Sequence, residues 1–146
     1  ESGANTMVYT PRPTAAARGI VKPSPDLLYA ICVYDVSVNP LKISAMVPTT
    51  TYWSVALYSD ETDNFFVMND AKAFEQFPSR ELKLFLVSDQ DEEIAAPPGY
   101  TRVFAPTDRG IVLFRLLVND EAKLAELDAI RHRANCEMLQ VERELF

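Results

Sequence analysis

The sequence predicts a mainly β domain, an antiparallel sandwich or meander of about seven to eight strands with one C-terminal helix covering it. Three observations carry that reading. Branched and aromatic apolar residues recur in short runs with a two-residue period. Clusters of Pro, Asn, Asp and Gly separate those runs. Only one segment, near the C-terminus, shows apolar residues at helical spacing. With 146 residues, 48% of them hydrophobic and 24% charged, the chain is long enough for one domain with a real core.

Residues 1–18 read as an extended N-terminal arm, polar and stiffened by Pro11 and Pro13. Within it, residues 15–18 suit one helical turn stopped at Gly19. A single β-rich domain occupies residues 19–146. Pro23 and Pro25 lead into the longest apolar run, 27–36, which is apolar on both faces and predicts a central strand covered on both sides. After the turn at Asn39-Pro40, residues 41–47 alternate as a half-buried strand. The next strand, 51–59, sets Trp53, Val55 and Leu57 against Tyr52, Ser54, Ala56 and Tyr58.

The polar loop 60–64 precedes a short strand at 65–68. Asn69-Asp70 is a turn or a cap, and 71–77 suits a short helix ending at Pro78. Strands follow at 82–87, 100–105 and 111–118, separated by an acidic Pro-rich loop and a turn at 106–110. In the last of them Val112, Phe114, Leu116 and Val118 face inward and Arg115 outward. Asn119 or Asp120 caps the long helix, about 120–136, whose apolar face is Leu124, Leu127, Ile130 and Ala134. Met138, Leu139, Val141, Leu145 and Phe146 form an apolar tail.

Fourteen basic and 21 acidic residues leave a formal charge of -7. Without clustered Lys and Arg, neither nucleic acid nor an anionic membrane surface is an expected partner. No apolar run reaches the roughly 18 residues of a membrane helix. The chain opens on Glu1 rather than Met, so a signal or anchor segment would lie upstream. Cys32 and Cys136 read first as two small buried hydrophobes. The alternative is one bridge tying the helix to the central strand, which implies an oxidising compartment.

No catalytic constellation emerges. His132 is the sole histidine and lies between Arg131 and Arg133, a surface position on the helix. A calcium loop opening at Asp89 would need Gly where Ile94 stands and Glu where Tyr100 stands. The glycines Gly3, Gly19, Gly99 and Gly110 are isolated, so no phosphate loop is present. No metal or cofactor is expected.

The candidate ligand-binding residues are Asp26, Tyr29, Tyr34, Trp53, Asp63 and Arg115, with Tyr52 and Tyr58 as further aromatic walls. The structural alternative has Asp26 capping the turn behind Pro25, and Arg18 or Arg115 paired with Asp35 or Asp63. An enzyme would require Asp26 or Asp63 as a base with a raised pKa in a cleft.

The segments PSPDLLYAICVYDVSVNPLKISAMVP, TTTYWSVALYSDETDNFFVMND and GIVLFRLLVND carry a resemblance to the bacterial family called domain of unknown function 1254. Pro23, Asp26, Leu28 and Tyr29 match its opening motif, Ser24 and Leu27 replace its usual Asn and Thr, and Arg115 matches the arginine of its last apolar strand. The likeness runs from about Gly19 to Asp120. It implies a β-rich domain at the bacterial cell envelope, exported or held by an upstream membrane helix. It also implies a partner of the kind called domain of unknown function 1214. The resulting expectation is a non-catalytic interaction or accessory module, with a small-molecule-binding β-domain as the alternative.

Overall fold

Alternation within the apolar runs folds the chain into two sheets that bury one face each against the other. The computed structural model describes residues 4–10, 26–71 and 81–141. Its strands are β1 (Met7–Tyr9), β2 (Leu27–Asp35), β3 (Leu41–Met46), β4 (Trp53–Ser59), β5 (Asn64–Asn69), β6 (Glu81–Ser88), β7 (Thr101–Ala105), β8 (Arg109–Leu117) and β9 (Asn135–Met138). A 3-10 turn, Glu121–Lys123, leads into the helix α1 (Leu124–Arg131). Sheet one runs β1-β2-β8-β4-β5 and sheet two β7-β6-β3-β9. The expected β-sandwich with a C-terminal helix is therefore the observed architecture.

The central strand of sheet one is β8, paired along its length with β2 and β4. Leu28, Ala30, Cys32 and Tyr34 of β2 point into the core beside Val112, Phe114 and Leu116 of β8 and Trp53, Val55 and Leu57 of β4. Sheet two answers with Leu41, Ile43 and Ala45 from β3 and Leu82, Leu84 and Leu86 from β6. The alternation read for β3 and the inward residues predicted for β8 match the buried positions, while on β4 Ser54 and Ala56 are buried as well as Trp53, Val55 and Leu57.

Several expectations change. Residues 7–9, assigned to the arm, form an edge strand, because β2 offers an unpaired backbone edge that Met7, Val8 and Tyr9 satisfy. The run at 27–36 is fully buried along one face only: along the other, Leu27, Tyr29 and Ile31 are half-buried and Val33 is exposed. The helix stops at Arg131 rather than near 136. Its last turn tightens through bonds from Arg133 N to Ile130 O and from Ala134 N to Arg131 O, and Asn135–Met138 then completes sheet two beside β3. One pair, β6 with β7, is parallel. The loop 89–100 is long enough for the return crossing that a parallel pair requires.

Cys32 and Cys136 are bonded to each other, with Cα atoms 6.7 Å apart and 104 residues between them in sequence. This is the bridging alternative, with one difference: Cys136 lies on β9, so the link joins the two sheets rather than helix to strand. The turn expected at 15–18, the helix at 71–77 beyond Ala71, and the tail residues Leu145 and Phe146 lie outside the described residues.

Gly110 allows a close approach. It pairs with Tyr34 on one side and Ser59 on the other. A Cβ there would meet the Tyr34 ring at 2.5 Å and also the backbone oxygen of Tyr58. Gly110→Ala should therefore cost about 1–3 kcal/mol, as overpacking does, measured by urea denaturation; a neutral effect would refute this packing account. Replacing Cys32 and Cys136 together by Ala should cost about 2–5 kcal/mol in the same assay, because the bridge closes a long loop.

Candidate functional site

Beyond the core, the residues with functional potential lie on the outer face of sheet one. Register places Tyr29 of β2 opposite Arg115 of β8, and Arg115 opposite Ser54 of β4. Arg115 Nε donates to Ser54 Oγ at 3.2 Å, which orients the guanidinium along the sheet. Around this polar pair the outward positions are apolar: Val8 on β1, Ile31 and Val33 on β2, Ile111 and Leu113 on β8. Val8, Val33 and Ile111 keep 53%, 45% and 37% of their surface exposed. Toward β4 the short side chains of Ser54 and Ala56 are buried.

The outer face of sheet two is different, because the chain covers it. Arg102 Nη1 on β7 donates to the carbonyls of Glu92 and Ile94, both at 2.8 Å, and draws the loop 89–100 over the strands. Tyr100 follows, with Lys83 Nζ and Lys42 Nζ 5.7 and 6.0 Å from its ring centroid. Phe85 and Val87, on that outer face, are fully buried.

The six candidate residues do not form one pocket. Tyr29 and Arg115 are neighbours on the outer face, and Asp26 is exposed at the start of β2, where its carbonyl accepts from Val118 N at 2.7 Å. Trp53 and Tyr34 point the other way, into the core. Asp63 is in the β4–β5 hairpin, several residues along the sheet from Arg115. The expected aromatic walls are likewise split, with Tyr34 and Trp53 inside and Tyr29, Tyr52 and Tyr58 outside. The ion pair imagined for Asp35 also changes partner. Asp35 takes Arg109 at 3.1 Å, and Ser37 donates to it through its hydroxyl at 2.6 Å and its backbone N–H at 3.0 Å. Those Ser37 bonds, with the Arg109 charge behind them, hold the Asp35 carboxyl below the usual range.

Arg131 is a site residue that the sequence reading passed over. It shares the buried helix face of Leu124 and Leu127 at spacings of three and seven, and that spacing was the available signal. Its Nη1 donates to Thr10 O at 2.5 Å and Tyr29 O at 2.8 Å, while Nη2 pairs with the Asp128 carboxylate at 2.6 Å. With Tyr9, which stacks on His132 at 4.4 Å and donates to Ala134 O at 2.5 Å, it clasps β1 and β2 to the helix. A shallow open groove of about 390 Å³ runs beside the clasp, lined by Leu28, Leu124, Ala125, Asp128 and Arg131. The groove's one charged pair is committed to holding the fold. His132 is exposed, as expected. Among the described residues, no group of three or more His, Cys, Asp or Glu is placed to hold a metal ion, and no helix is long and apolar enough to cross a membrane.

At the far end of the sheet, Tyr34 Oη is wholly buried and has no hydrogen bond of good geometry among the described residues. The nearby Thr107 hydroxyl is engaged, donating to Arg109 O at 2.6 Å and accepting from Asp60 N at 3.1 Å. Burial pushes the Tyr34 hydroxyl above its ordinary range; polar contact with Thr107 offsets part of this and the Asp60 charge adds to it. Stability should thus fall as pH rises through the tyrosine range, since the unfolded chain ionises first. Tyr34→Phe should flatten that alkaline slope and leave neutral-pH stability unchanged or raised by up to about 1 kcal/mol. Thermal melts across pH 7 to 11 in both proteins test this, and a marked loss of stability at neutral pH would mean the hydroxyl is well bonded.

Solved structures share this fold. The VPA0106 protein from Vibrio parahaemolyticus superposes with a TM-score of 0.70 at 12% identity, covering 97% of this chain and 34% of its own. A putative uncharacterized protein from Burkholderia cenocepacia gives 0.57 at 16% identity, covering 100% of this chain and 38% of its own. The chain therefore spans little more than a third of the length of either. No curated protein matches it. A family model matches residues 4–138, nearly the whole chain. The chain belongs to the family described as Protein of unknown function (DUF1254).

Proposed function

We propose that this chain is a non-catalytic interaction or accessory domain of an exported or membrane-anchored bacterial protein. It works outside the cytoplasm at the cell envelope, and a domain of unknown function 1214 is its partner type. The observation that carries the reading is the contrast between the two outer faces. Sheet two buries Phe85 and Val87 on its outer face and exposes Phe104 alone among its large apolar residues there, whereas sheet one exposes Val8, Val33 and Ile111 beside the half-buried Ile31 and Leu113. Contiguous apolar surface of this kind on a folded domain marks a contact with another molecule or domain.

The Cys32–Cys136 bond supports the placement outside the cytoplasm, because such bonds persist where thiols are oxidised. The alternative, a small-molecule-binding domain, has the groove beside α1 in its favour. Against it, the donors of Arg131 are already taken by Thr10, Tyr29 and Asp128.

Two measurements test the proposal. Maleimide trapping of denatured protein from intact cells should label Cys32 and Cys136 only after reduction; free thiols would defeat the envelope placement. Mixing the purified protein with a purified domain of unknown function 1214 should give a complex by size exclusion at micromolar concentration. Val33→Ser combined with Ile111→Ser should weaken that complex about tenfold or more, a loss on the order of 1.4 kcal/mol, without lowering the melting temperature by more than a few degrees. Absence of any complex would remove this partner.

A further inference from the structure

Two cations meet on the outer face of sheet two. Register sets Lys42 of β3 opposite Phe85 and Lys83 of β6 opposite Ser44, so the two lysines are diagonal neighbours on one face. The end of the loop 89–100 brings an aromatic ring to both. Tyr100 N donates to Pro97 O at 3.1 Å, Gly99 takes the left-handed conformation with φ 86°, and Arg102 holds the carbonyls of Glu92 and Ile94. The ring centroid of Tyr100 then lies 5.7 Å from Lys83 Nζ and 6.0 Å from Lys42 Nζ. Lys42 and Lys83 keep only 26% and 34% of their side-chain surface exposed, so both charges have given up part of their hydration.

Like charges so close repel, and the fold answers them only in part. Glu137 Oε1 stands 3.7 Å from Lys42 Nζ and Glu81 Oε1 3.6 Å from Lys83 Nζ, both beyond hydrogen-bond length. Exposed pairs of this kind are weak. Both carboxylates sit on the flanks, Glu137 opposite Lys42 on β9 and Glu81 at the start of β6. Among the described residues, neither ammonium group makes a hydrogen bond, nor do the hydroxyls of Ser44 and Tyr100. Asn135 and Glu137 of β9 are exposed, which leaves the approach from that side open. Each glutamate reaches one lysine, whereas a doubly charged tetrahedral oxyanion presents oxygens to two donors at once. Charge-assisted bonds from ammonium groups to such oxygens are short and strong.

We propose that Lys42, Lys83, Ser44 and Tyr100 form a binding site for a doubly charged oxyanion, the phosphoryl group of free phosphate or of a small phosphate monoester. The site is on the opposite sheet from the exposed apolar residues, so it goes beyond the interaction reading and is tested separately from it. The acidic flanks and the formal charge of -7 hold its affinity to the millimolar range.

Titration calorimetry of the full protein with inorganic phosphate at low ionic strength, where screening is least, tests the site. Saturable binding is expected, and Lys42→Gln or Lys83→Gln should each weaken it at least tenfold. Glu81→Gln combined with Glu137→Gln should tighten it severalfold, because competing carboxylates are removed; this pair keeps the test decisive should a lysine variant fail to fold. Phosphate should also raise the melting temperature of the wild-type protein and leave that of Lys83→Gln unchanged. Glycerol 3-phosphate serves as the monoester: tighter binding than phosphate identifies an ester as the ligand class, and weaker binding identifies the free ion. The proposal is overturned by absence of saturable binding up to tens of millimolar phosphate, by equal displacement with chloride at matched ionic strength, or by an affinity that Lys83→Gln leaves unchanged.

Discussion

A strand has two faces, and in this protein the chemistry of β8 constrains what lies on either side of it. Its inward residues, Val112, Phe114 and Leu116, fill the middle of the core and are flanked by matching positions on β2 and β4. The strict two-residue period then sends Ile111, Leu113, Arg115 and Leu117 outward. A one-residue slip would exchange the two sets and put Arg115 in the core, so the charge pins the register that the apolar residues alone would leave ambiguous. Gly110, second in the strand, leaves room for the Tyr34 ring. The core and the proposed docking face are thus two consequences of one strand's composition.

Closure of the sandwich depends on contacts between segments far apart in the chain. The Cys32–Cys136 bond links an inner strand of sheet one to an edge strand of sheet two. Arg131 does related work with hydrogen bonds, tying Thr10 O and Tyr29 O to the helix while Asp128 balances its charge. A buried arginine is tolerated because its donors meet carbonyls or a carboxylate. Tyr9 adds the last tether, so β1 is held by its neighbour strand and by the helix terminus. These fasteners sit on the β1 and β2 side of sheet one, next to the exposed apolar face, and they keep that face rigid. A preorganised surface loses less entropy on binding.

The two sheets are finished differently for a reason visible in their connections. The parallel pairing of β6 and β7 obliges a long crossing loop, and Arg102 fixes that loop through the carbonyls of Glu92 and Ile94. A short turn carries the chain from β7 of sheet two into β8 of sheet one, and β5 follows β4 through a hairpin, so neither connection is long enough to cross the outer face of sheet one.

The sequence by itself determined the strands, their inward residues and the family, because alternation and turn chemistry are local and β3, β4 and β8 obey them plainly. It also determined that Arg115 faces out. Tertiary structure alone decided the rest. Residues 7–9 are too short to declare themselves, and became a strand only because β2 had an open edge. The apolar run at 27–36 suggested two covered faces, yet whether a second layer exists depends on where distant loops pass. Asn135–Met138 continued a helical pattern that the edge of β3 overrode. Asp35 chose Arg109, Cys32 chose Cys136, and Arg131 turned inward, since each pairing joins residues whose proximity no local pattern encodes. Spacing along a chain reports which side of an element a residue takes; only the packed sheets report what waits on that side.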